Sequence, residues 1–152
     1  MNRRDAVKAA LFASVGILAA CRSDSALDQA LMEEIADTLL PTTAGSPGAK
    51  AAGTGAAMNL ILSDCYKPED QRAVRDGLAR FRAKDFLALS RPDREGFVRS
   101  VAREAWFAPL RDLALGAYFS TESGMTKALR YVRVPGRYVG CMPLAPGQPA
   151  WG

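Results

Sequence analysis

Ser25-Ala26-Leu27-Asp28-Gln29-Ala30-Leu31-Met32-Glu33-Glu34-Ile35-Ala36-Asp37-Thr38-Leu39-Leu40-Pro41 is the stretch whose reading decides the fold. Leu27, Leu31, Ile35 and Leu39 recur every fourth residue, with Met32 and Leu40 beside them. That spacing lays one apolar stripe along a helix. Ser25 with Asp28 three residues later resembles a capping box, and Pro41 ends the helix because it has no N–H to continue the ladder. Residues 41–55 hold Pro41, Gly45, Pro47, Gly48, Gly53 and Gly55 and read as a loop.

The same logic extends outward. A short helix is predicted over about 56–65. Pro68, with Glu69 and Asp70 after it, suits the positive N-terminal end of another helix, and Val74, Leu78 and Phe81 mark its buried face. Ser90-Arg91-Pro92-Asp93 opens a further helix lined by Phe97, Val101 and Ala105. Pro109 interrupts or restarts the chain near Trp106 and Phe107, after which Leu110, Leu113, Leu115 and Tyr118 continue a helical pattern. Ser120-Thr121-Glu122-Ser123 caps a last short helix ending near Tyr131. Arg72, Arg75, Arg80, Arg82, Arg99 and Arg103 fall off these stripes and read as solvated faces. No strand-like alternation and no internal repeat is present. The fold class is therefore all-α: a small helical bundle, one domain over 21–152.

The last stretch differs in kind. Residues 135–152 carry Pro135, Gly136, Gly140, Pro143, Pro146, Gly147, Pro149 and Gly152, which excludes regular structure. Among them stand Tyr138, Met142, Leu144 and Trp151, too much apolar bulk for an idle solvated end. The expected arrangement is an extended Pro/Gly/aromatic tail over 132–152. It either wraps back over the helices or docks on another protein, since Tyr and Trp bury large area with few rotors.

The opposite end reads as an address. Arg3, Arg4 and Lys8 precede a weakly apolar run from Ala9 to Ala20, twelve residues and too short to span a hydrocarbon core of about 30 Å. Residues 1–20 thus form an export signal. The arginine pair suggests the twin-arginine translocase, although Asn2, Ala6 and Val7 replace the usual flanks, and an ordinary secretory signal is the alternative. Leu18-Ala19-Ala20-Cys21 resembles a lipobox, in which the Cys21 thiol takes a diacylglyceryl group and anchors the chain to the membrane. Export places Cys65 and Cys141 in an oxidising compartment. They are open to bridging each other, to bridging a partner chain, or to staying as inert buried thiols.

Composition removes many functions. The 152 residues are 49% hydrophobic and 24% charged, an ordinary globular mix. There is no histidine, which excludes histidine-based triads, zinc ligation by His and His-ligated haem. No CxxC, complete nucleotide-binding glycine pattern or GxSxG elbow occurs. The net charge of +4 falls to +2 once residues 1–20 are set aside, so nucleic acid is not an expected partner. The pairs Glu33-Glu34 and Glu69-Asp70 are sequence neighbours that point about 100° apart on a helix and read as solvated acids. Catalytic, cofactor-binding and metal residues are all expected to be none.

Several blocks then carry a resemblance, in order along almost the whole chain. They are Asn2 to Ala10; Ile35-Ala36-Asp37-Thr38-Leu39-Leu40-Pro41-Thr42-Thr43; Pro47-Gly48-Ala49-Lys50-Ala51-Ala52-Gly53; Gly116-Ala117-Tyr118-Phe119-Ser120-Thr121-Glu122-Ser123-Gly124; Leu129-Arg130-Tyr131; and Pro135-Gly136-Arg137-Tyr138-Val139-Gly140-Cys141. Together they resemble the gluconate 2-dehydrogenase subunit 3 family, the small subunit of membrane-associated flavin dehydrogenases.

The resemblance implies a non-catalytic accessory subunit. Its partner would be a large flavoprotein of the glucose-methanol-choline oxidoreductase (GMC) kind, which holds FAD and oxidises a sugar, polyol or gluconate. A multihaem cytochrome c subunit with haem c would accept the electrons. The small subunit would assist maturation of the flavin subunit and its export through the twin-arginine translocase, at the periplasmic face of the inner membrane. Tyr118, Phe119, Arg130, Tyr131, Arg137, Tyr138 and Trp151 are the candidate partner-binding residues. Arg130 and Arg137 would either pair with partner carboxylates or tether the tail to the helices. The alternative is a lipid-anchored periplasmic helical protein that binds an unrelated partner.

Overall fold

A computed structural model describes residues 27–134, 136–143 and 145–151. The expected export signal, Cys21 and the Ser25 cap lie outside the described residues. The protein is all-α, as the stripes require. Helix α1 is described over residues 27–39 and buries Leu31, Met32, Ile35 and Ala36, while Leu27 and Leu39 at its ends are only partly covered. Regular helix stops before Pro41.

The loop after α1 is knitted back onto it. Ala49 N–H donates to Leu40 O at 2.9 Å, Gly48 N–H to Thr42 Oγ1 at 2.9 Å and Lys50 N–H to Asp37 Oδ1 at 3.1 Å. A Cβ on Gly48 would stand 2.6 Å from Thr42 Oγ1 and 2.9 Å from Thr42 N, so only glycine allows that approach. Gly53 adopts φ 71° and launches α2, Thr54–Cys65, two residues ahead of the predicted start. Helix α2 buries Thr54, Met58 and Leu62, one residue per turn, and Gly55 brings its backbone against Gln29 and Glu33 of α1.

Helix α3, Pro68–Ala83, begins on the proline, carries Glu69 and Asp70 in its first turn and Arg80 and Arg82 in its last, and buries Val74, Leu78 and Phe81. A 3₁₀ turn over Phe86–Ala88 follows, entered through Asp85 at φ 51°. Helix α4, Arg91–Val101, is capped by Ser90, whose hydroxyl accepts from Asp93 N–H. Val98 is its buried residue and Phe97 and Val101 are partly covered; Ala105 lies beyond its end.

Helix α5, Ala108–Ser120, restarts the chain around Pro109 and packs against both α2 and α3. Its buried face is Leu110, Leu113, Ala114, Ala117 and Tyr118, whereas Leu115 is only half-buried. The two alanines displace Leu115 from the stripe because small side chains let α5 approach its neighbours closely. A π-helical turn over Gly124–Ala128 ends the regular structure three residues short of Tyr131.

Phe81 is the hub of the core. Its ring lies 4.9 Å from Phe86, 5.2 Å from Phe97, 6.1 Å from Trp106 and 5.8 Å from Phe107, mostly edge-to-face. Such pairs add about 0.5–1.5 kcal/mol beyond the area they bury. No helix among the described residues is long and apolar enough to cross a membrane.

Candidate interaction site

Glu34 is not a solvated helix acid: its side chain is 19% exposed and bonded to both Lys50 and Arg94. Arg94 also donates from Nε to Phe86 O at 3.2 Å and from Nη2 to Leu87 O at 2.7 Å. One guanidinium therefore joins α1, the 3₁₀ turn and α4. Burial pushes the Glu34 carboxyl up, but the Lys50 hydrogen bond and the Arg94 and Lys50 charges outweigh it and hold it below the usual value. The Lys50 hydrogen bond to Glu34 raises the lysine in turn. A carboxylate held ionised is a poor proton donor at neutral pH, so this cluster is a brace rather than an acid catalyst. Asp28 likewise pairs with Arg82, tying α1 to α3. Among the described residues no group of His, Cys, Asp or Glu converges as a metal site would need.

Two blocks of the sequence resemblance meet in space. Tyr118 of α5 donates its hydroxyl to Pro47 O at 2.7 Å, closing the Pro47–Gly53 loop against the end of the bundle. Tyr118 is 2% exposed, so it leaves the set of surface contact residues and acts as an internal strut. The polar run after it is capping chemistry. Thr121 Oγ1 donates to Tyr118 O at 2.7 Å and accepts from Gly124 N–H at 3.0 Å, and Ser120 Oγ donates to Gly116 O at 2.7 Å. Gly124 sits against the Tyr118 carbonyl with no room for a Cβ, which fixes the direction in which the chain leaves the helices.

The remaining candidates lie where the chain leaves. Phe119, Tyr131, Tyr138 and Trp151 are exposed, Tyr138 at 89%, and Val132, Val134, Val139 and Met142 are exposed beside them. Arg130 and Arg137 are also exposed. The tail folds back on itself: Arg130 and Trp151 form an isolated parallel bridge, with Arg130 N–H donating to Ala150 O at 2.7 Å. The Arg130 guanidinium carbon lies 4.1 Å from the centre of the Trp151 ring. Arg130 therefore tethers tail to tail. An open groove of about 810 Å³ is walled by Tyr138, Val139, Met142, Pro149 and Trp151, with Arg130 and Arg137 also lining it. A second groove, about 420 Å³, runs between Leu39 and Leu40 of the α1 end, Phe119, Leu129 and Pro149.

Two things were not visible in the sequence reading. One is the brace around Arg94, whose partner Glu34 is sixty residues away. The other is the charge of the tail: Glu122 is the last acidic residue, and Lys127, Arg130, Arg133 and Arg137 follow it with no acid among them. Counting charge by segment rather than over the whole chain would have exposed it. Cys65 and Cys141 are both exposed free thiols, which removes the buried reading and leaves them unbonded to one another here.

The family model for gluconate 2-dehydrogenase subunit 3 matches residues 26–136, well over half of the chain. No curated protein matches the chain, and no solved structure does.

Proposed function

The chain belongs to the gluconate 2-dehydrogenase subunit 3 family, and on that footing we propose that it is the non-catalytic small subunit of a membrane-associated, FAD-dependent sugar, polyol or gluconate dehydrogenase. It binds a GMC-type flavoprotein, assists its maturation and carries it through the twin-arginine translocase by means of Arg3, Arg4 and Lys8. Cys21 anchors it by lipid at the periplasmic face of the inner membrane, and a multihaem cytochrome c takes the electrons onward. FAD and haem c sit in those partners.

The observation that carries this reading is the tail. Its aromatic and branched side chains stand exposed together on irregular backbone, against a helical body that buries most of its large apolar residues and exposes only scattered ones such as Leu60. Large exposed apolar surface rimmed by charge marks a protein-binding face. The Glu34 carboxylate, bonded to both Lys50 and Arg94, suits a bracing role in an accessory subunit.

The test is co-expression with a GMC-type flavoprotein from the same genome. The tagged chain is expected to co-purify a yellow flavoprotein with sugar or polyol dehydrogenase activity. Arg3→Lys together with Arg4→Lys is expected to strand that activity in the cytoplasm. Periplasmic activity untouched by the double change would end the passenger role. Recovery of the chain with an unrelated protein and no flavin would favour a lipid-anchored binding protein instead.

A further inference from the structure

The tail groove has a chemistry that specifies what it receives. Residues 123–152 contain four basic side chains and no acidic one. Among the described residues no carboxylate lies within ion-pair reach of Arg130, Arg133 or Arg137; every ion pair of the molecule that the structure describes lies in the helical body. Arg130 is pre-ordered by the Trp151 ring and the backbone bond to Ala150, and Arg137 also lines the groove. Guanidinium forks suit carboxylates, which they bind bidentately. The walls between them are aromatic and aliphatic, which suits side chains rather than a bare ion.

Resting on the function proposed above, we propose that this groove receives an acidic segment of the flavoprotein partner in extended conformation. Its carboxylates seat on Arg130 and Arg137, and its apolar side chains lie against Trp151 and Tyr138. Charge complementarity selects the occupant: the tail is uniformly cationic, so a neutral or basic segment leaves its arginines unpaired when covered. The concave shape favours a peptide over a lipid surface, which presents a flat face.

The experiment uses the full chain co-expressed with the flavoprotein and purified through a tag on the small subunit. Arg137→Glu reverses a charge of the groove itself and leaves the Arg130–Trp151 tether in place. This variant is expected to retain the wild-type thermal melting curve while losing co-purified flavin absorbance by about tenfold or more. Raised ionic strength is expected to release flavoprotein from the wild-type complex, and Arg137→Lys to hold more of it than Arg137→Gln.

A charge-reversed variant that holds as much flavoprotein as wild type, or a wild-type complex indifferent to salt, overturns the inference and leaves the subunit role standing. A wild-type chain that captures no flavoprotein overturns both. Vesicles of phosphatidylglycerol provide the second arm. If the chain binds them and the charge-reversed variant does not, while its hold on flavoprotein is unchanged, the face reads lipid and the peptide assignment is overturned.

Discussion

The helical body, residues 27–128, and the tail beyond it use the same residue types to opposite ends. In the body Phe81, Phe86 and Phe107 are fully buried and pack ring against ring. In the tail Tyr131, Tyr138 and Trp151 are held out on loops. In the body Arg82 and Arg94 find carboxylates on α1; the tail's arginines have no acidic side chain within thirty residues of the C-terminus. The difference teaches that burial depends on which neighbours the backbone delivers and not on composition alone. Leucine and phenylalanine carried by the helices and the short turns between them close on each other, whereas tyrosine and tryptophan on irregular backbone among prolines stay exposed.

The sharpest blow to the body side of the contrast is Phe81→Ala. It removes the ring that four others touch, and unfolding free energy from chemical denaturation should fall by about 3–5 kcal/mol. A loss below 1 kcal/mol would mean that the aromatic hub is loose and that the body is no better packed than the tail.

Next in size is the brace. Glu34→Gln should cost about 1–3 kcal/mol at neutral pH because it leaves the half-buried Arg94 without its charged partner. The pH dependence has a defined sign. Glu34 is depressed below its ordinary 4.5, so its contribution is present above that value and is lost as pH falls through the lower folded value. Lys50 is raised above 10.5, so its contribution holds below that value and is lost as pH rises through the higher folded one. A urea midpoint measured against pH should therefore show a plateau between two falling flanks. Glu34→Gln should flatten both, and an unchanged acid flank would count against the brace.

The smallest effect should come from Tyr138→Ala. At 89% exposure the ring contributes little to folding, so the melting temperature should move by less than about 0.5 kcal/mol would produce. Flavoprotein recovery should nevertheless fall. A large loss of stability would place the ring inside the fold and erase the distinction between the two regions.

Much of the body was legible because its signals are local. Leu31 and Ile35 declare α1 four residues apart, Pro41 stops it, and Ser90 with Asp93 opens α4 by a cap that the structure bears out. Pro68 and the acids after it place α3 to the residue. What stayed hidden depends on distance in sequence. Glu34 reads as one of a solvated pair until α4 delivers Arg94 from sixty residues away. Leu115 looks like core until Ala114 and Ala117 turn out to hold the buried face, because periodicity counts greasy residues and close packing selects small ones. Tyr118 belongs to a block that resemblance marks for contact, and only the hydroxyl bond to Pro47 turns it inward. The tail's composition forbids regular structure, but no spacing rule foretells that Trp151 returns to Arg130.

One feature of α1 bears on how the whole assembly is laid out. The groove at Leu39 and Leu40 puts the root of the tail, Leu129, at the C-terminal end of that helix. Any chain preceding Leu27 joins at the other end, about 20 Å away along thirteen residues of helix. Under the function proposed above, the pull of a leader and the load of a partner would fall on opposite ends of that rod.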